Sequence, residues 1–148
     1  ADTSRPVETV SWNTIQGFLT ATGMQLPTEA QWEYACRAGT TGAYAGDLAS
    51  MAWFRDNSGN STQPVKQRKP NAWGLYDMHG NVWEWCEDGY ETRASATQDA
   101  AKGNTTYRVL RGGAWLNNAN FVRSSDRDFF TPGGAFLSIG FRVARAPL

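Results

Sequence analysis

The sequence predicts one α+β domain in which irregular chain outweighs helices and strands. Its 148 residues are enough for a single domain with a core and too few for two typical domains. Seven tryptophans and fifteen glycines favour a loop-rich fold in which large rings fill the space that regular elements leave open. Two helical patterns lie within the first forty residues, and segments typical of short strands follow them. Residues 1–148 are therefore interpreted as a single domain.

The first helix is predicted at about residues 12–21. Ser11 precedes it and can accept a hydrogen bond from its free amides, and Gly23 can end it. By helical spacing, its buried face is predicted to comprise Trp12, Ile15, Phe18 and Leu19.

The second helix is predicted at about residues 29–37, directly after Pro27. Thr28 and Gln31 have the spacing of a capping box, in which each side chain bonds the other's backbone amide. The helix is expected to end near Gly39. These two helices are the only clearly helical part of the sequence.

Three short segments are typical of strands. At residues 108–110 and 140–144 branched apolar residues alternate with arginines, and at residues 82–85 a valine and two tryptophans flank a glutamate. Residues 40–70 are too many for an ordinary connection, so we expect them to pack on the body of the domain or to carry a function. Residues 87–102 are polar and are predicted to form a surface excursion.

The overall charge excludes two classes of partner. Lysine and arginine number 14 and aspartate and glutamate also number 14, so nothing indicates a nucleic-acid partner or an anionic membrane surface. No apolar run approaches 18 residues, so no membrane insertion is predicted. The first ten residues lack the basic and then apolar pattern of a secretion signal.

The usual catalytic side chains are few. Cys36 and Cys86 lack the spacing of metal ligands and are interpreted either as two buried thiols or as a disulfide, which would need an oxidising compartment. His79 is the only histidine and lies beside a glycine turn, so it is interpreted as structural. Asp126 and Asp128 have the chemistry of an acid–base pair, but charged loop residues are more often solvated.

The stretch at residues 108–145 contains the candidate ligand-binding residues, because the chain between its two predicted strands has no sustained period. The residues interpreted there as fixed by structure are Val122, Arg123, Arg127, Pro132 and Ile139. Between them lies a mixture of aromatics, amides, acids and small residues that suits a recognition surface better than a core. These candidates are Leu116, Asn117, Asn118, Asn120, Phe121, Asp126, Asp128, Phe129, Phe130, Phe136, Leu137 and Ser138.

Four motifs, in order, resemble the formylglycine-generating enzyme family. They are LPTEAQWEYA at residues 26–35, GLYDM with GNVWEW at 74–85, RGGAW at 111–115 and GFR at 140–142. The resemblance extends from about residue 6 to the end. It implies a C-type-lectin-like fold with two helices, small antiparallel sheets and much irregular chain. Family members usually carry more chain before this start, so an N-terminal portion is expected to be missing.

The enzymes of that family oxidise a substrate cysteine with two cysteines in the segment that matches residues 112–127. This sequence has no cysteine there, and neither Cys36 nor Cys86 lies where it could take that role. Without a thiolate the segment has no nucleophile, redox centre or soft metal ligand. The sequence is therefore predicted not to be an enzyme, and a family homologue of undetermined activity is the alternative.

The layout of residues 108–145 also resembles the variable region of proteins diversified by diversity-generating retroelements, many of which use this fold. In those systems template adenines are miscopied, so asparagine codons become scattered among many residue types. The resemblance implies a display protein with residues 108–145 as its variable ligand-binding region. The implied partner is a protein or cell-surface receptor, and the implied location is a virion such as a phage tail, or a cell surface. A carbohydrate-binding lectin domain is a further alternative.

The resemblance also implies a calcium site. Positions matching Asp77, Gly80, Val82 and Glu84 bind calcium in the related enzymes through two carboxylates and two backbone carbonyls, and calcium prefers oxygen ligands. The alternative is that Asp77 caps the turn and Glu84 pairs with an arginine.

Overall fold

The computed structural model describes residues 2–91 and 106–145, and the elements below belong to those ranges. Most of the polar excursion predicted at residues 87–102 lies outside them. The elements in chain order are α1 (Trp12–Thr22), α2 (Glu29–Arg37), α3 (Leu48–Met51), β1 (Trp83–Gly89), β2 (Arg108–Arg111), a 3-10 turn (Ala119–Val122), β3 (Arg127–Phe130) and β4 (Ile139–Gly140). This architecture confirms the predicted α+β class. No helix in the described ranges has the length and apolar character needed to cross a membrane.

Helix α1 forms where its capping signals predict it. The Thr14 N–H donates to Ser11 Oγ at 3.1 Å, and Gly23 ends the helix in the left-handed conformation with φ 68°. Ile15 and Leu19 are buried as predicted, but Phe18 is 46 % exposed. The Phe18 ring packs edge-on against Phe141 at the surface, with ring centroids 5.8 Å apart, instead of entering the core.

Helix α2 has the predicted capping box. The Gln31 N–H donates to Thr28 Oγ1 at 3.2 Å, and the Thr28 N–H donates to Gln31 Oε1 at 2.9 Å. The residue that ends α2 is Ala38, with φ 45°, one position before the predicted glycine. Helix α3 was not predicted. It is a single turn capped by the Asp47 carboxylate, within the irregular segment at residues 40–70.

The four strands form one sheet in the order β3-β2-β1-β4. Pairs β3–β2 and β2–β1 are antiparallel as predicted, whereas β4 lies parallel to β1. Strand β4 covers only Ile139–Gly140, so the strand predicted at residues 140–144 is too long; Ala144 instead forms an isolated antiparallel bridge with Gln25. The sequence did not indicate β3, because its side chains show no alternation between buried and exposed positions.

Buried side chains cover both faces of this sheet. On one face Trp85 and Leu110 pack with Ile15 and Leu19 of α1, and on the other Val109 packs with Trp32 and Cys36 of α2. Trp32, Trp83 and Trp85 fill the interior in the way that the composition predicts, whereas Trp73 is exposed.

The irregular segment at residues 40–70 packs on the body of the domain. The Ser124 N–H donates to the Ala43 carbonyl at 2.8 Å, and the Arg55 N–H donates to the Asn117 carbonyl at 2.9 Å. Gly80 is required where this segment meets the turn before β1, because a Cβ there would lie 2.1 Å from the Trp53 carbonyl oxygen. The segment is therefore hydrogen-bonded to the stretch at residues 108–145.

Candidate ligand-binding surface

Ion pairs between Arg127 and Glu29 connect strand β3 to helix α2. The Arg127 guanidinium donates to both carboxylate oxygens of Glu29, at 2.5 Å and 2.8 Å. Glu29 also lies 3.0 Å from the guanidinium of the buried Arg111, which pairs with Glu33 as well. Such a bidentate, largely buried arrangement holds an arginine in one geometry. Arg127 is therefore fixed by structure, as its position in the sequence predicted.

The large apolar candidates are exposed. The exposed fractions are 46 % for Phe121, 41 % for Phe129, 37 % for Phe130, 50 % for Phe136 and 49 % for Leu137. By contrast, Val122 and Ile139, which the sequence assigned to the scaffold, are buried. Arg123 was assigned to the scaffold too, but it is exposed; it donates to the neighbouring Asn120 carbonyl at 2.8 Å and to Asp126 at 3.5 Å.

Phe129 and Phe130 project from opposite faces of β3, since successive residues of a strand alternate. Phe129 packs beside Tyr90 and Tyr107, with ring centroids 4.5 Å and 4.9 Å away. Phe130 faces Trp85, with centroids 6.5 Å apart. The exposed Tyr107 and the half-buried Tyr90 extend this aromatic cluster. The sequence did not indicate them, because they flank the polar excursion rather than the mixed stretch.

The amide candidates are tied to the local backbone to different degrees. Asn117 Oδ1 accepts from the Ala114 N–H at 2.9 Å, and Asn118 Oδ1 accepts from the Asn120 N–H at 3.0 Å, capping the 3-10 turn. Leu116, Asn117 and Asn118 are half-buried, whereas Asn120 is exposed. Asn120 is thus the amide most available to a ligand.

The remaining polar candidates divide in the same way. Asp128 is exposed, and Asp126 is half-buried, with burial raising its pKa against the opposing effect of Arg123. Ser138 is 4 % exposed, and its carbonyl accepts from the Trp83 N–H at 2.8 Å. The assignment of Ser138 to an accessible surface therefore needs correction, because the sheet buries this residue beside β4.

Neither thiol is poised for chemistry. Cys36 and Cys86 are free and buried, which decides between the two interpretations in favour of buried thiols. Burial raises the pKa of Cys36 to about 12 and the pKa of Cys86 well above its ordinary value. A thiol with such a pKa is almost entirely protonated at neutral pH and is a poor nucleophile.

His79 has a structural role, as predicted. Its Nδ1 lies 2.7 Å from the Val122 carbonyl oxygen, and the Ala45 N–H donates to its Nε2 at 3.1 Å. These contacts assign a neutral ring with its proton on Nδ1. Burial lowers the pKa of His79, which agrees with a neutral imidazole.

The four residues of the implied calcium site line one cleft of about 450 Å³. Asp77 has φ 56°, and its Oδ2 accepts from the Lys66 N–H at 2.9 Å. Its Oδ1 is buried and has no hydrogen-bond partner among the described residues. Burial raises the pKa of Asp77, more than the Lys66 hydrogen bond lowers it. An orphaned buried carboxylate oxygen fits a cation at this end of the cleft.

The other end of the cleft is already neutralised. Arg142 donates to Glu84 from Nε at 2.6 Å and from Nη2 at 2.7 Å, and Trp32 Nε1 donates to the same carboxylate at 2.6 Å. This is the arginine pairing that the alternative interpretation expected. Within residues 2–91 and 106–145, no three His, Cys, Asp or Glu side chains form a metal-binding group. Of the four implied ligands, Asp77 thus offers an unpartnered carboxylate oxygen, whereas the Glu84 carboxylate is already paired.

Comparison with protein families matches residues 1–147 to the sulfatase-modifying factor enzyme 1-like domain. The formylglycine-generating enzyme of Streptomyces coelicolor is 36 % identical over 165 residues, covering 95 % of this chain and 52 % of the enzyme. The serine/threonine-protein kinase pkn1 of Chlamydia caviae is 38 % identical over 150 residues, covering 95 % of this chain and 24 % of the kinase. The chain thus spans about half or less of these curated relatives.

Solved structures show the same fold. Treponema denticola variable protein 1 superposes with a TM-score of 0.88 and 30 % identity, covering 99 % of this chain and 73 % of that one. The U1 variant of the Major Tropism Determinant superposes with a TM-score of 0.62 and 15 % identity, covering 90 % of this chain and 36 % of that one. The second similarity concerns the fold alone.

Proposed function

We propose that this chain, which belongs to the sulfatase-modifying factor enzyme 1-like family, is a non-enzymatic display domain. Its exposed side chains between residues 116 and 137 bind macromolecular targets and are diversified by a retroelement. The similarity to the Treponema variable protein supports this over an enzymatic role. The proposed targets are proteins or cell-surface receptors, met from the surface of a virion or a cell.

One observation carries the proposal. Five large apolar side chains in a single stretch are exposed, while the residues interleaved with them, such as Val122 and Arg127, are buried or ion-paired to the scaffold. We propose that the five exposed side chains form an apolar patch, which is typical of a binding surface. Covering one of these rings on binding contributes about 1–3 kcal/mol. A rigid scaffold below such side chains limits the entropy lost on binding.

The thiols support the absence of oxidase activity. The enzyme relatives need cysteines in the segment that matches residues 112–127, and this chain has none there. The remaining Cys36 and Cys86 are buried, with raised pKa values. We expect no conversion of cysteine in a peptide substrate, measured by mass spectrometry with the Streptomyces enzyme as positive control. Conversion would favour the alternative of an active family homologue.

Sequencing of codons 108–145 across a natural population tests the display function. We expect substitutions to concentrate at Leu116, Asn117, Asn118, Asn120, Phe121, Asp128, Phe129, Phe130 and Phe136. Val122, Arg127 and Pro132 serve as internal controls and are expected to stay constant. An invariant stretch would contradict diversification and would indicate one dedicated partner.

We further propose that the Asp77 cleft binds a structural calcium ion. The unpartnered Asp77 Oδ1 and the adjacent backbone of Gly80 and Val82 support this assignment. When bound, calcium would neutralise the Asp77 charge and fix the turn before β1. Glu84 is paired with Arg142 and is therefore not among the ligands proposed here.

A further inference from the structure

Strand β3 lies at the edge of the sheet. In the order β3-β2-β1-β4, no strand from the described residues lies outside β3. An edge strand offers backbone N–H and C=O groups to which another extended chain can bind. Whether β3 can accept such a chain depends on where its backbone groups point.

The hydrogen-bond pattern defines that direction. In an antiparallel sheet, successive residues of a central strand point their N–H and C=O groups to alternate neighbours. The Tyr107 carbonyl accepts from the Tyr90 N–H on the β1 side, so Arg108 and Leu110 point to β3. The register places these two residues opposite Phe130 and Asp128.

By the same alternation along β3, the backbone groups of Arg127 and Phe129 point away from β2, toward the outer edge of the described sheet. The Phe129 N–H donates to the Asp128 side chain, Oδ1, at 2.8 Å, which agrees with this direction. Asp128 is exposed, so its side chain can rotate away and release the Phe129 N–H. Charged side chains at edges commonly protect a strand in this way.

The exposed rings add a second argument. Phe129 and Phe130 lie on opposite faces of β3, and each packs on one side against aromatic residues of the sheet. A ligand lying on one face would reach only one of these rings. An extended chain added beside β3 alternates its own side chains between the two faces and so reaches both.

We propose that an extended segment of a partner polypeptide binds this domain by adding a strand to the outer edge of β3, which no described strand covers. The inference rests on the proposed display function and names the binding mode of the same surface. The backbone of Phe129 supplies the pairing, and Phe129 and Phe130 supply apolar contacts on the two faces. Because Asp128 lies on the Phe130 face, the partner strand carries a basic residue on that face.

The probe is a phage-displayed library of linear twelve-residue peptides selected on the immobilised protein. Enriched peptides are synthesised with and without N-methylation at successive backbone positions. We expect N-methylation at alternate positions to weaken binding at least tenfold and at the intervening positions to have little effect. We also expect binding to slow exchange of the Phe129 amide hydrogen.

A pair of variants gives an independent measurement. Phe129→Ala removes the ring and keeps the outward N–H, whereas Phe129→Pro removes both, and an edge position tolerates proline. We expect Phe129→Pro to lower the affinity for the enriched peptides at least tenfold more than Phe129→Ala. If Phe129→Pro does not fold, the N-methylation series on the unaltered protein decides.

Three results would overturn strand addition: enrichment of no peptide, binding that is insensitive to N-methylation, or equal affinities of the two variants. None of these would refute the display function, which population sequencing tests separately. Binders that depend on Phe121 or Phe136 but not on the Phe129 backbone would keep the display function and reject this binding mode.

Discussion

At the scale of single residues, the protonation of Asp77 affects the stability of the domain. One of its carboxylate oxygens is buried without a partner, and burial raises its pKa. A carboxyl group whose pKa is raised in the folded state stabilises the protein at low pH. This contribution is lost as the pH rises from the ordinary pKa of 3.8 through the raised pKa. A cation at Oδ1 would reverse that loss, because it favours the ionised form.

Calcium is therefore expected to raise the unfolding temperature of chelator-treated protein. At a free calcium concentration a hundred times Kd, the free energy of unfolding rises by about 2.7 kcal/mol. For a chain of this length, each kcal/mol raises the unfolding temperature by roughly 3 °C. Asp77→Asn should abolish the gain, and Asp56→Asn, an exposed acid with the same change of charge, should keep it. The gain should shrink as the pH falls toward the raised pKa of Asp77. Equal calcium shifts in both variants, or none in the unaltered protein, would contradict the site.

At the scale of elements, the attachment of β3 to α2 depends on Glu29. Glu29→Gln leaves the guanidiniums of Arg111 and Arg127 without a full counter-charge, and breaking such a buried pair costs about 3–5 kcal/mol. Asp2→Asn is the matched control, because its pair with Arg5 is exposed. Chemical denaturation should show a large shift of the midpoint for Glu29→Gln and none for Asp2→Asn. Similar midpoints would mean that β3 is held by its strand pairing alone.

Acid should weaken the attachment of α2 to β2, which Glu33 makes through Arg111. Burial acts to raise the pKa of Glu33, but the charges of Arg111 and Arg37 and their hydrogen bonds outweigh it, so the pKa lies below its ordinary value of 4.5. The stability this group contributes is present above pH 4.5 and is lost as the pH falls through the lowered pKa. Denaturation midpoints measured from pH 6 to pH 3 should fall in that window. Because Glu33 is partly exposed, added salt should reduce the effect.

At the scale of the whole molecule, sequence reasoning succeeds where the signal is local. Helices α1 and α2 were predictable because Ser11 and the Thr28 and Gln31 pair cap them within a few residues. Strand β3 was not, because an edge strand with exposed side chains has no periodic pattern. The burial of Ser138 could not be predicted either, since composition alone does not say which residues of an irregular stretch the sheet buries.

Contacts between distant segments explain the other omissions. Arg142 and Glu84 are 58 positions apart, and no local pattern shows that their charges meet in the predicted calcium site. Tyr90 and Tyr107 reach Phe129 only after β1, β2 and β3 have paired. The sequence was enough to select the candidate residues, but only the structure shows which residues of distant segments contact them.

The division between scaffold and surface predicts that the domain tolerates large changes at its exposed apolar side chains. Phe121, Phe136 and Leu137 are each close to half exposed, so replacing any one of them with serine should change the free energy of unfolding by less than about 1 kcal/mol. Val122→Ala is the contrasting variant, because Val122 is buried and the cavity should cost about 1–3 kcal/mol. Denaturant titration measures both. If each single serine variant proves as costly as Val122→Ala, these side chains stabilise the fold, and a surface free to vary is excluded.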